Sequence, residues 1–101
     1  MTFTPIERPF DWEHITATTQ IKTGAGVLHT ITINRGDPAA GRVITIYDGV
    51  GVTANIIAII ALDTALFVIP QTLTYNCGFL TGLYAAFDGA VTLADLTISY
   101  K

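Results

Sequence analysis

Charge is what this chain has least of. Asp, Glu, Lys and Arg make up 13% of its 101 residues, about half the share usual in globular proteins. Five basic residues against eight acidic ones leave a net charge of −3. Nucleic-acid affinity comes from clustered Lys and Arg neutralising phosphates, so no nucleic-acid partner is expected. A single cysteine, Cys77, excludes an internal disulfide framework and a cysteine-based zinc site. The lone serine, Ser99, has no Gly-x-Ser-x-Gly around it. Long apolar runs are missing as well. The longest, residues 56–69, contains Asp63 and is shorter than the about 20 residues a spanning helix needs, so no membrane partner is expected. Residues Met1 to Pro9 show neither a basic n-region nor an apolar h-region; no secretory signal is expected, and the mature chain is expected to begin here.

What the chain does have is apolar surface: half of its residues are hydrophobic. At this length one domain with a real core is expected without crosslinks. Residues 1–15 differ from the remainder. Pro5 and Pro9 deny a strand ladder their N–H groups, while Phe3, Phe10 and Trp12 are interleaved between them and beyond, so this stretch is expected to be an extended N-terminal arm that docks its aromatics on its own domain or on a neighbour, with a partner surface, a second subunit or the particle, as the expected seat. The domain proper is expected at residues 16–101.

From Thr16 onward the period is two. Val27, His29, Ile31 and Ile33 alternate with Leu28, Thr30, Thr32 and Asn34, the pattern of a strand with one core face and one threonine-rich face. Arg42 to Asp48 alternates likewise, and the glycines and proline of residues 35–41 between the two predict a loop-connected hairpin. Ile56 to Leu62 is apolar on both faces, as in a strand covered on both sides. In one small domain the second cover would be another subunit. Leu66 to Ile69 is expected to follow it as a strand, with Pro70 interrupting at an edge or bend. Asp88-Gly89 predicts a two-residue hairpin turn between Phe79–Phe87 and Ala90–Tyr100. In that last segment the apolar phase changes near Ala94-Asp95, which predicts a bulge there. Seven or eight short strands without helical periodicity predict an all-β antiparallel sandwich or jelly roll.

Several of these segments occur together in a known group. Gly24-Ala25-Gly26-Val27-Leu28-His29-Thr30-Ile31-Thr32-Ile33-Asn34, then Gly41-Arg42-Val43-Ile44-Thr45-Ile46-Tyr47-Asp48, Phe79-Leu80-Thr81-Gly82-Leu83-Tyr84 and the closing Ala94-Asp95-Leu96-Thr97-Ile98-Ser99-Tyr100 resemble small virion proteins of tailed bacteriophages. The likeness covers roughly residues 20–101, leaving the arm outside. It implies a β-sandwich that assembles on the particle as a capsid decoration, head-associated or tail-associated protein. It also implies location in the virion, contact with the major capsid protein or another virion protein, self-association, with a trimer the expected form, and no catalytic motif.

Candidate chemistry is sparse. Arg35-Gly36-Asp37 spells an integrin-binding tripeptide in an expected exposed loop, where a plain loop is the favoured reading because Gly and Asp are turn formers first. His29, on the expected apolar side of its strand, reads as a hydrogen-bonded core or rim histidine, and His14 has no convergent ligands for a metal. Asp37, Asp48 and Asp88 are loop carboxylates of the kind calcium accepts, without any EF-type spacing. Asp48, Asp63, Asp88 and Asp95 all fall at turns or the expected bulge, which does not make the facing pair a glycosidase requires. Cys77 has no histidine nearby and reads as a half-buried thiol. No enzyme activity and no cofactor are expected. The residues expected to form contacts are Phe3, Phe10, Trp12, Ile57, Ile59 and Phe67. The alternative function is a glycan- or receptor-binding module of a phage tail or fibre, with a host glycan as partner and Trp12, Tyr47, Tyr75 and Tyr84 as its aromatics.

Overall fold

The alternation of apolar and hydroxyl side chains resolves into two four-stranded antiparallel sheets. The structure is a computed structural model, described here for residues 10–37, 41–62, 70–88 and 91–101. Its strands are β1 (Asp11–Ile15), β2 (Thr19–Thr23), β3 (Gly26–Arg35), β4 (Val43–Asp48), β5 (Ile56–Ala61), β6 (Gln71–Phe79), β7 (Gly82–Phe87) and β8 (Asp95–Tyr100). Sheet I has the order β1-β8-β3-β6 and sheet II the order β2-β7-β4-β5. First pairs with last, second with seventh, third with sixth and fourth with fifth. The chain is thus one long antiparallel ribbon, with β4 and β5 at its tip, wound so that successive ribbon segments alternate between the sheets. That winding is the eight-strand jelly roll.

Inward side chains of both sheets form one core. Leu28, Ile31 and Ile33 of β3 and Leu96 and Ile98 of β8 face Ile44 and Ile46 of β4 and Leu83 and Ala85 of β7, with Phe79 closing one end. Each such Leu, Ile or Phe contributes about 1.5–3 kcal/mol of transfer free energy. The outward phase of sheet I is polar. Cross-strand pairing sets Trp12, Ser99, Thr30 and Thr74 in one row and His14, Thr97, Thr32 and Thr72 in the next.

Several local expectations change once the strands are placed. The arm does not extend to residue 15: Asp11–Ile15 pairs with β8 along its whole length, and Ile15 is buried, so the domain takes in β1. Residues 1–9, with Phe3, lie outside the described residues. The β3–β4 hairpin does not form, because β3 lies between β8 and β6 while β4 lies in the opposite sheet. Asp88-Gly89 joins no hairpin either: the chain breaks at Leu80-Thr81, β7 pairs with β2 and β4, and β8 pairs with β1 and β3. Gly89 itself lies outside the described residues. The bulge expected at Ala94-Asp95 belongs to the facing strand. Ile33 faces Leu96 and Arg35 faces Asp95, which makes Asn34 of β3 the extra residue, while residues 91–94 precede β8.

The phase of β3 also changes, at His29. Leu28, not Val27, is buried on one side of it, and Ile31 and Ile33 are buried on the other. Against β8 the extra residue is His29, and against β6 the extra residue falls at Tyr75-Asn76, where Asn76 has φ of 48°. Asn is among the few non-glycine residues that take this left-handed conformation readily. His29 Nδ1 is hydrogen-bonded to Asn76 Oδ1, and the Phe10 ring stacks on the imidazole at 4.0 Å and 5°.

Candidate assembly surface

Across β7, β4 and β5 the outward phase of sheet II is largely apolar. On its outer face Tyr84 of β7 stands beside Tyr47 of β4, which faces Ile56 of β5; one row on, Ala86 stands beside Thr45, which faces Ile59; and Val43 faces Ala61. The Tyr47 and Tyr84 rings are 6.2 Å apart and tilted by 46°, within the range of favourable aromatic pairs. None of these side chains is charged, and Ile59 is 65% exposed. Alternation produces this face in the same way as the threonine face of sheet I, with Tyr, Ile and Ala in the outward positions.

At the edge of this face β5 presents a row of backbone N–H and C=O groups that β4 does not use. Edge strands are normally protected against pairing with other chains by charge, proline or bulges. β1 carries Asp11 and Glu13, β2 carries Lys22 and a bulge at Ile21, and β6 follows Pro70 and bulges near Asn76. β5 reads Ile-Ile-Ala-Ile-Ile-Ala; a bulge at Ile57 is its one irregularity, and Ala58–Ala61 is regular.

The connections at the end of the sandwich next to this face carry no charged residue. Three short connections meet there: residues 24–25, 49–55 and 80–81. Asp48 organises them. Its carboxylate accepts the N–H groups of Leu80, Thr81 and Gly82 at 2.9, 2.8 and 3.4 Å, and the Leu80 and Thr81 N–H groups hold its pKa below the ordinary value of 3.8. The Gln20 amide nitrogen lies 2.9, 3.0 and 3.1 Å from the carbonyls of Lys22, Gly49 and Leu83, and its oxygen accepts the N–H of Gly51 at 2.8 Å. Gly82 sits where a Cβ would be 2.7 Å from the Gly49 carbonyl oxygen and 2.9 Å from that of Lys22. On this braced platform Val50, Val52 and Leu80 are exposed.

Of the six residues expected to form contacts, the four described, Phe10, Trp12, Ile57 and Ile59, lie on different surfaces. Phe10 is half-buried against His29, and Trp12 lies on the outer face of sheet I. Ile59 points outward from sheet II, whereas Ile57 packs partly against the core. Among the described residues the run Ile56 to Leu62 is covered on one side, with Ile56 and Ile59 exposed on the other. Phe67, with Leu66 to Ile69, lies outside the described residues. The sequence expectation missed Ile56, Tyr47 and Tyr84 as partners of Ile59. The last two are outward in phase beside Ile44, Ile46, Leu83 and Ala85, a signal available once the strands are paired.

The remaining candidates are engaged elsewhere. Asp37 is 2% exposed, so the Arg35-Gly36-Asp37 segment is not an exposed recognition loop. Its carboxylate accepts the N–H of Thr92 at 3.1 Å and lies 3.9 Å from Nε of Arg42. Cys77 is half-buried. No group of three His, Cys, Asp or Glu side chains able to hold a metal occurs among the described residues, and none of those residues forms a helix long and apolar enough to cross a membrane. Comparison with known protein families, with curated proteins and with solved structures finds no match.

Proposed function

We propose that this chain is a structural protein of a tailed-phage virion, a capsid decoration or head-associated protein that works by adhesion. The observation that carries the reading is the uncharged outer face of β7, β4 and β5, bordered by a β5 edge that, among the described residues, no other strand covers and that carries no charge or proline. Exposed apolar area of this kind marks protein contact surfaces, and a bare edge strand adds directional backbone hydrogen bonds. A second copy of the chain is the natural occupant, because it is present wherever the first is and brings the same edge. The braced tip with Val50, Val52 and Leu80 is then free to seat on the major capsid protein or another virion component. The resemblance of the strand segments to small tailed-phage virion proteins supplies the setting of this proposal, and the jelly roll is a fold that viral capsid domains use. Particles purified from a lysate of the phage encoding this chain should contain it in many copies per shell, by quantitative mass spectrometry. Particles lacking the chain, with the chain left in the soluble lysate, would contradict the reading.

A further inference from the structure

We propose a second binding surface on the opposite side of the sandwich: the outer face of sheet I around Trp12 is a site for a neutral carbohydrate. It is independent of the assembly role, which uses sheet II. Trp12 is 61% exposed, and among the described residues no ring stacks on it. Across the strands its row is Ser99 and Thr30 and the next row begins with His14, while Phe10, two residues before it, is taken up by stacking on His29. An indole face beside a polar rim is the arrangement that takes up a sugar ring, whose C–H groups pack on the aromatic face while its hydroxyls reach the rim.

The rim is organised before any ligand arrives. Asp95 Oδ1 receives both His14 Nε2, at 2.7 Å, and Asn34 Nδ2, at 3.0 Å, and the same Asn34 nitrogen donates to Thr97 Oγ1 at 3.0 Å. Asn34 is the extra residue of the β3 bulge, and the bulge is what brings its amide over Asp95 and Thr97. The bonds use one oxygen of Asp95 and leave Oδ2 and the Asn34 carbonyl oxygen to accept hydroxyl protons from a ligand. The Thr97 hydroxyl, already an acceptor from Asn34, keeps its proton to donate. Trp12 and His14 are two residues apart on one strand, about 6.8 Å, and the Thr97 and Ser99 strand is about 4.8 Å away. One pyranose set on the indole spans that distance to the network. The hydroxyl rows of Thr30, Thr32, Thr72 and Thr74 continue the platform for further units of a chain. An acceptor-rich rim that includes the Asp95 carboxylate repels uronic or sialic acids, which fixes the ligand class as neutral.

Trp12 is the single tryptophan, so its fluorescence reports the site directly. The full chain is titrated with maltohexaose, cellohexaose, chitohexaose, xylohexaose and mannohexaose, and with hexagalacturonate as the anionic comparison. The expected result is a saturable emission shift with at least one neutral hexasaccharide and none with hexagalacturonate. By calorimetry with that sugar, Trp12→Ala abolishes binding and Asp95→Asn weakens it at least tenfold, while Trp12→Ala keeps the wild-type oligomeric mass and circular dichroism. No shift with any neutral sugar, a response to hexagalacturonate alone, or undiminished binding by Trp12→Ala would overturn the proposal.

Discussion

Asp37 and Arg42 face each other across the connection from β3 to β4, with the carboxylate 3.9 Å from the guanidinium Nε and buried beneath the chain. The Arg42 Nε is itself buried and makes no hydrogen bond, so its attraction to Asp37 is Coulombic. Asp37 also ties the strand connection to residues 92–93 through their N–H groups, at 3.1 and 3.4 Å. One buried acid therefore holds two connections at the same end of the sandwich.

Removing it should be expensive. Asp37→Ala strands the N–H groups of Thr92 and Leu93 and leaves the Arg42 guanidinium without its counter-charge. Hydrogen bonds to charged groups contribute about 1.5–3 kcal/mol, so a loss of about 3 kcal/mol is expected in urea unfolding. A change under about 0.5 kcal/mol, the range of ordinary surface substitutions, would show the ion pair to be incidental.

Acid should loosen both ends of the sandwich, through Asp48 at the end opposite Asp37 and through Asp95, paired with Arg35, at the Asp37 end. The Leu80, Thr81 and Gly82 N–H groups lower the pKa of Asp48 in the folded chain below 3.8, and the Asn34 amide, followed by His14, does the same for Asp95. A depressed folded pKa gives stability that is present above the unfolded value and lost as pH falls through the folded one. Unfolding free energy should therefore hold from neutral pH to just above 3.8 and drop below it. Asp48→Asn should be less stable than the parent at pH 7 and approach it in strong acid. A difference between the two proteins that is constant with pH would contradict this assignment.

Gly82 tests the tip. Its missing Cβ would press on two backbone carbonyls, which cannot rotate away as a side chain could. Gly82→Ala is expected to lower the melting temperature by several degrees, as a loss of about 1–3 kcal/mol does in a domain of this size. Gly24→Ala, with open space around its Cβ but φ of 89°, should lose stability through backbone strain alone. Equal stability of Gly82→Ala and the parent would show that the three connections are not packed together as described.

Alternation was legible in the residues because it needs no knowledge of partners. Thr30-Ile31-Thr32 and Leu96-Thr97-Ile98 each declare an inner and an outer face by themselves. Pairing was less legible. Asp88-Gly89 is a good hairpin dipeptide locally, but sheet membership is set by the winding of the whole ribbon, in which β7 belongs with β2 and β4. His29 hid its bulge because either phase of β3 offers apolar side chains, Val27 or Leu28 before it, and Asn34 hid its own behind the phase change of the facing segment. The apolar surface of sheet II was half visible. Ile56 to Leu62 announced a strand with no polar side, whereas the contributions of Tyr47 and Tyr84 depend on which strands lie beside β5.

The central claim is that the outer face and edge of sheet II join copies of this chain, and the most direct test is the mass in solution by multi-angle light scattering at tens of micromolar. The wild-type chain should run as a multiple of 10.8 kDa. Ile59→Lys, which puts a charge where an exposed isoleucine can bury about 1.5–3 kcal/mol of apolar surface, should weaken association at least tenfold while leaving the domain folded. A wild-type mass of 10.8 kDa at that concentration, or an Ile59→Lys protein as fully assembled as the parent, would contradict the account.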